Sequence, residues 1–228
     1  MMRKIIGKII DIVLPPKGQE QASKEAAPVT EVKAVSLEQI LGGALGDAPA
    51  EPDLRVIGLY SSVEDEKIAE LTQALLYLNE MNRLLPEGKE KKPVEFYINT
   101  YGGSADDMFA MYDVMQQVME ETEIHTIGVG KVMSAGTLLL AAGTKGKRKI
   151  GKNCRVMIHN VAAGNFGNLP NLANELEAIQ RLQEDYISAM VENTKFTRKK
   201  LEKLLNEKVN IYLDAEEAVR YGLADEIM

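Results

Sequence analysis

From Leu54 onward, short apolar runs rich in β-branched residues alternate with stretches whose apolar residues recur every three or four positions. The runs are Leu54–Leu59, Val94–Asn99, Ile124–Val129 and Arg155–Ile158. A strand followed by a returning helix brings the next strand in parallel to the first, so this alternation restricts the chain to an α/β domain with crossover helices. Ile68, Leu71, Leu75 and Leu78 give the first helix its buried face, and Asp65 and Glu66 stand where the helix dipole favours anions. Met108, Met111, Met115 and Met119 mark the second; a methionine stripe at helical spacing reads as core filler rather than as a promiscuous groove. A glycine-bounded turn after Val129 then leads into a third helix carrying Leu138, Leu139 and Leu140.

Residues 17–53 are rich in Ala, Pro, Glu, Gln and Gly, a composition that cannot bury enough surface to offset its ordering entropy. The expected organisation is a flexible leader or propeptide over residues 1–53 and one domain over residues 54–228. The apolar start, Ile5 to Leu14, is interrupted by Lys8 and Asp11 and is too short for a membrane span, which needs about 20 apolar residues. A short amphipathic helix that docks on a partner or is cleaved off is expected there. A net charge of -7 argues against nucleic acid as the main partner, because phosphate binding needs a clustered basic surface. With a single cysteine, Cys154, no internal disulfide forms and cysteine metal pairs are absent, so a reducing compartment and no metal or cofactor are expected.

The chemistry centres on two residues. Ser134 lies in Gly130-Lys131-Val132-Met133-Ser134-Ala135-Gly136, at a strand-to-helix turn, and His159 follows it by 25 residues at the end of a strand. A serine hydroxyl needs a base to become a nucleophile, and histidine has the pKa for that task. Unpaired N–H groups at the same helix N-terminus suit a developing oxyanion. Locally, however, Ser134 also reads as a helix cap, which serine very often is, and a lone histidine is more often a structural residue. His125, among Glu120, Glu121 and Glu123, reads as solvated surface. Cys154 and His159 are five apart along a strand, which puts them on opposite faces about 16 Å apart.

Residues 54–228, about three quarters of the chain, resemble the ClpP family of self-compartmentalising serine proteases. The resemblance rests on Tyr97-Ile98-Asn99-Thr100-Tyr101-Gly102-Gly103-Ser104, the turn at Ser134, Leu139 to Arg148, Arg155-Val156-Met157-Ile158-His159, and Glu216 to Asp225, in this order. It implies a ClpP/crotonase-like fold of stacked strand-helix (ββα) repeats, with Ser134 as nucleophile, His159 as base, and the N–H groups of Gly103 and Ala135 as oxyanion hole. It also implies peptide or unfolded-protein substrates, rings of seven that stack into a tetradecamer, an AAA+ unfoldase partner of the Clp type, and a cytoplasmic setting. The apolar-periodic stretch from Leu169 to about Val191, with Leu172, Leu176, Ile179 and Tyr186, matches the family's protruding handle helix.

The departures from the family pattern are specific. The family's aspartate aligns with Asn210, whose amide orients an imidazole without stabilising its charge. Glu207 and Asp214 are neighbouring acids, although Asp214 with Glu217 also resembles a capping box. Tyr101 replaces a proline, Ala135 a methionine, and Asn160-Val161 follows the histidine; the leader lacks the family's N-terminal motif. Such divergence is similar to that of phage-encoded members. Two other readings stay open: a silent ring subunit, and an acyl-CoA enzyme of the crotonase type.

Overall fold

Alternating burial along Val94–Thr100, with Val94, Phe96, Ile98 and Thr100 inward, makes this strand, β2, the centre of the first layer. In the computed structural model, which describes residues 54–164, 166–207 and 209–228, β2 pairs in parallel with β1 (Val56–Leu59) and β3 (Ile124–Met133). The expected leader, residues 1–53, lies outside the described residues. Helices α1 (Asp65–Arg83) and α2 (Ala105–Val118) supply the covering face: Leu71, Leu75, Met111 and Met115 are all buried with Phe96 and Ile98 in one cluster. The methionine stripe is therefore core.

The third helix, α3 (Ala135–Ala141), is buried at every position, as its sequence Ala-Gly-Thr-Leu-Leu-Leu-Ala requires. Strand β4 (Lys149–Ile150) pairs with the first part of β3 and with β7 (Glu226–Ile227), while β5 (Arg155–Ile158) pairs with its last part. Strand β6 (Ile211–Leu213) closes the sheet antiparallel to β5. The sheet is otherwise parallel, as the alternating pattern implies.

One expectation changes. The glycines after Ile127 do not end the strand; β3 continues to Met133. Ile98 pairs with Gly128 but Thr100 with Val132, so β3 carries two additional residues opposite Asn99. Gly130, at φ 66°, takes up this bulge without the steric cost a side chain would bring.

Helix α4 (Leu169–Asn193) is longer by two residues than the pattern suggests. Its last part packs through Tyr186, Ile187, Ala189 and Met190, whereas Leu169, Leu172 and Leu176 are exposed, so its first half stands clear of the core. The short helices α5 (Arg198–Glu207) and α6 (Ala215–Tyr221) flank β6. Arg148 fastens this end of the molecule, donating to the carbonyls of Ala141 and Asn193 and to the Asp225 carboxylate. Among the described residues no helix is long and apolar enough to cross a membrane.

Candidate active site

Three parallel strands end side by side: β2 at Thr100, β3 at Met133 and β5 at Ile158. In parallel sheets, ligand sites form beyond the carboxyl ends of the strands, where loops converge. Here those loops deliver Gly102-Gly103, Ser134 and His159. All but Gly102 line one cleft of about 790 Å³, whose far wall is the outer part of α4.

Ser134 follows β3 directly, and it alone among the described non-glycine residues has a positive φ, 54° with ψ -123°. Such backbone strain, about 1–3 kcal/mol, persists only where the surroundings impose it, and a sharp strand-to-helix turn is the geometry that exposes a nucleophile. The constraints are visible. Ser134 N–H donates to Met157 C=O at 2.8 Å, and Ser134 C=O accepts from both Thr137 N–H at 2.9 Å and Thr137 Oγ1 at 2.6 Å. Tyr186, from α4, bonds that same Thr137 hydroxyl at 3.0 Å. Burial pushes the Tyr186 phenol up to about 12, so it stays protonated.

The Ser134 side chain makes no cap bond to α3. Its Oγ lies 2.7 Å from His159 Nε2 instead, so the capping alternative does not describe it. His159 is half-buried, and loss of solvation lowers its pKa below the ordinary imidazole value, keeping it neutral.

Gly103 and Ala135 flank the serine. The bonds around Gly103 run from Val63 N–H to Gly102 C=O and from Ser104 N–H to Val63 C=O, so its own N–H is not used by them. A β-carbon at Gly103 would lie 2.1 Å from the Val63 carbonyl oxygen, and one at Gly102 would lie 2.6 Å from Ser134 Cβ. Only glycine permits this approach. Ala135 is the first residue of α3, where backbone donors have no helical acceptor.

The expected third member makes no hydrogen bond to His159. Asn210 is exposed and its side chain makes no hydrogen bond among the described residues. The β5–β6 ladder ends at Ile158 opposite Ile211, and the next residues outward are His159 and Asn210. The neighbouring acids are engaged elsewhere. Asp214 accepts from Glu217 N–H at 2.8 Å in a reciprocal capping box, and Glu207 faces Lys203 at 3.7 Å.

Cys154 is buried and its thiol is pushed up to about 11, so it is inert at neutral pH. His125 is less exposed than its acidic surroundings suggest and bonds Glu123 at 2.8 Å. Tyr101 is exposed beside the glycine pair, with Lys131 Nζ 4.4 Å from its ring centroid and 3.0 Å from Asn99 Oδ1. Nothing in the local sequence signals that contact, because it crosses the β3 bulge.

The sequence profile of the Clp protease family matches residues 52–228, all three strand ends included. The chain belongs to the Clp protease family. It is 33% identical over 174 residues to the ATP-dependent Clp protease proteolytic subunit of Deinococcus radiodurans, covering 76% of this chain and 80% of that protein. As a Clp protease it is a serine-type peptidase core acting on peptides, and the crotonase-type alternative is set aside.

Proposed function

We propose that Ser134 is the nucleophile of this peptidase and His159 its general base. The 2.7 Å contact between Ser134 Oγ and His159 Nε2 carries the reading. An extended peptide pairs its main chain with the backbone flanking Gly102-Gly103 and with residues 160–164. Ser134 Oγ attacks the scissile carbonyl carbon as its proton passes to Nε2. The oxyanion accepts hydrogen bonds from the Gly103 and Ala135 N–H groups, and the imidazolium returns the proton to the leaving amine. Water, deprotonated by the same imidazole, then releases the acyl group.

We assign the third position to Asn210 on register alone: it stands next in line to His159 beyond the Ile158–Ile211 pair. The competing acids have other partners. In the wider assembly, residues 54–228 form the peptidase domain behind a leader or propeptide, and chains associate into heptameric rings that stack in pairs. The exposed Leu169, Leu172 and Leu176 on the free half of α4 support that association. An AAA+ unfoldase of the Clp type feeds the chamber, in the reducing cytoplasm that a lone thiol suits. Retention of the contacting serine-histidine pair favours an active subunit over a silent one.

Labelling by a fluorophosphonate, followed by peptide mapping, tests the assignment. Wild type is expected to carry the label on Ser134, and Ser134→Ala to lose both label and peptide hydrolysis while assembling normally. Undiminished turnover by Ser134→Ala removes Ser134 from the mechanism.

A further inference from the structure

Residues 160–164 leave the sheet where the β5–β6 ladder stops, yet Val161, Ala162 and Ala163 form a wall of the cleft. Among the described residues only two hydrogen bonds hold this segment. Asn160 Nδ2 donates to Leu205 C=O at 3.1 Å, and Val161 N–H donates to Gln183 Oε1 at 2.7 Å. Gln183 reaches across from α4, so the second bond ties the wall directly to the long helix.

The other end of the Gln183 amide is unusual. Its Nε2 is buried and has no partner among the described residues. Buried amides are normally satisfied, because an unpaired donor forfeits its hydration without return. The amide cannot be turned to relieve this, since Val161 offers a donor and only the carbonyl oxygen can meet it. A methionine would fill similar space with no orphaned donor, so the contribution of Gln183 lies in its acceptor oxygen.

We infer that Gln183 is a positioning residue for peptide binding: by holding Val161 N–H it fixes the segment 160–164 as the rail along which a substrate main chain docks beside Ser134. The inference rests on the proposed peptide-binding mode. Its effect falls on substrates that pair along the rail, and not on small reagents that reach Ser134 without doing so.

The test compares the full-length protein with Gln183→Met, which removes the acceptor, and Gln183→Glu, which keeps an acceptor oxygen in either protonation state. Kinetics on a fluorogenic peptide are measured beside the rate of fluorophosphonate labelling. For Gln183→Met, KM is expected to rise about five- to tenfold, the weight of one hydrogen bond, with kcat and labelling rate within about twofold of wild type. Gln183→Glu is expected to restore the wild-type KM. An unchanged KM in Gln183→Met overturns the inference, as does an equal rise in both variants or a labelling rate that falls in step with peptide turnover. Failure of wild type to label on Ser134 is a separate result, and refutes the underlying mechanism instead.

Discussion

Ser134 N–H donates to the carbonyl of Met157, two residues before His159, at 2.8 Å. With the parallel pair Met133–Met157 beside it, this bond makes the turn that bears the serine and the strand that bears the histidine one rigid piece. The distance between Oγ and Nε2 is thus set by backbone register.

The pH dependence follows from the burial of His159. Desolvation disfavours the imidazolium, so His159 loses its proton at lower pH than an ordinary histidine. A general base acts only when neutral; kcat/KM should therefore rise with pH along a limb whose midpoint lies below about 6.5, the unperturbed value. A pH profile on a fluorogenic peptide measures it, and a midpoint above neutrality contradicts the assignment.

Asn210→Asp should speed the enzyme while making it more acid-sensitive. A carboxylate next in register to His159 stabilises the imidazolium formed during attack. We expect kcat near pH 8 to rise ~10-fold or more, against the ~10⁴-fold span known for the same exchange in a chymotrypsin-type triad. The same charge raises the His159 pKa, so the acid limb moves to higher pH. A gain in kcat without that shift points to a cause other than a charge facing the imidazole.

These cases show why some of the site was legible and some was not. The strand runs and the spacing of Leu71, Leu75, Met111 and Met115 are local patterns, and they foretell the sheet and its covering helices. The role of Ser134 is not local: the same residues suit a cap or a nucleophile, and the choice is made by where a strand 25 residues later comes to rest. Gly130 misleads for a related reason, since a glycine that ends a strand and one that bends it look alike until β5 pairs with Lys131–Met133. Gln183 gives no signal at all. Its partner is a backbone N–H, which every residue but proline possesses.

Stability should depend on the Arg148–Asp225 pair. The carboxylate's own burial raises its pKa, but hydrogen bonds and charge from Arg148 outweigh that and hold Asp225 at about 2. The folded state therefore gains stability at pH values above the ordinary carboxylate range, about 2 kcal/mol, which is lost as pH falls from about 4 towards 2. Asp225→Asn leaves the nearly buried guanidinium uncompensated and should cost about 3 kcal/mol, roughly 10 °C in Tm by calorimetry at neutral pH. An unchanged Tm would show that the pair contributes nothing net.

Gly103→Ala should abolish peptidase activity without unfolding the domain. The added methyl meets the Val63 carbonyl at 2.1 Å, so the backbone must shift at the residue whose N–H we propose as an oxyanion donor. Circular dichroism close to wild type with peptide turnover reduced at least ~100-fold, the scale of losing one oxyanion donor, is the expected pair of results. Wild-type turnover excludes this N–H from the oxyanion hole.

The two additional residues in β3 act as a length gauge for the whole site. Removing one of them turns every later side chain of the strand to the opposite face relative to β2, carrying Ser134 out of line with Gly102-Gly103. Removing both restores the face but draws the serine back along the strand by about 7 Å, at ~3.3 Å per residue, out of step with the glycine pair that follows β2. The bulge is thus a measured offset: it lets β3 share its early length with β4 and its late length with β5, while Ser134 still arrives level with the glycine pair beyond β2.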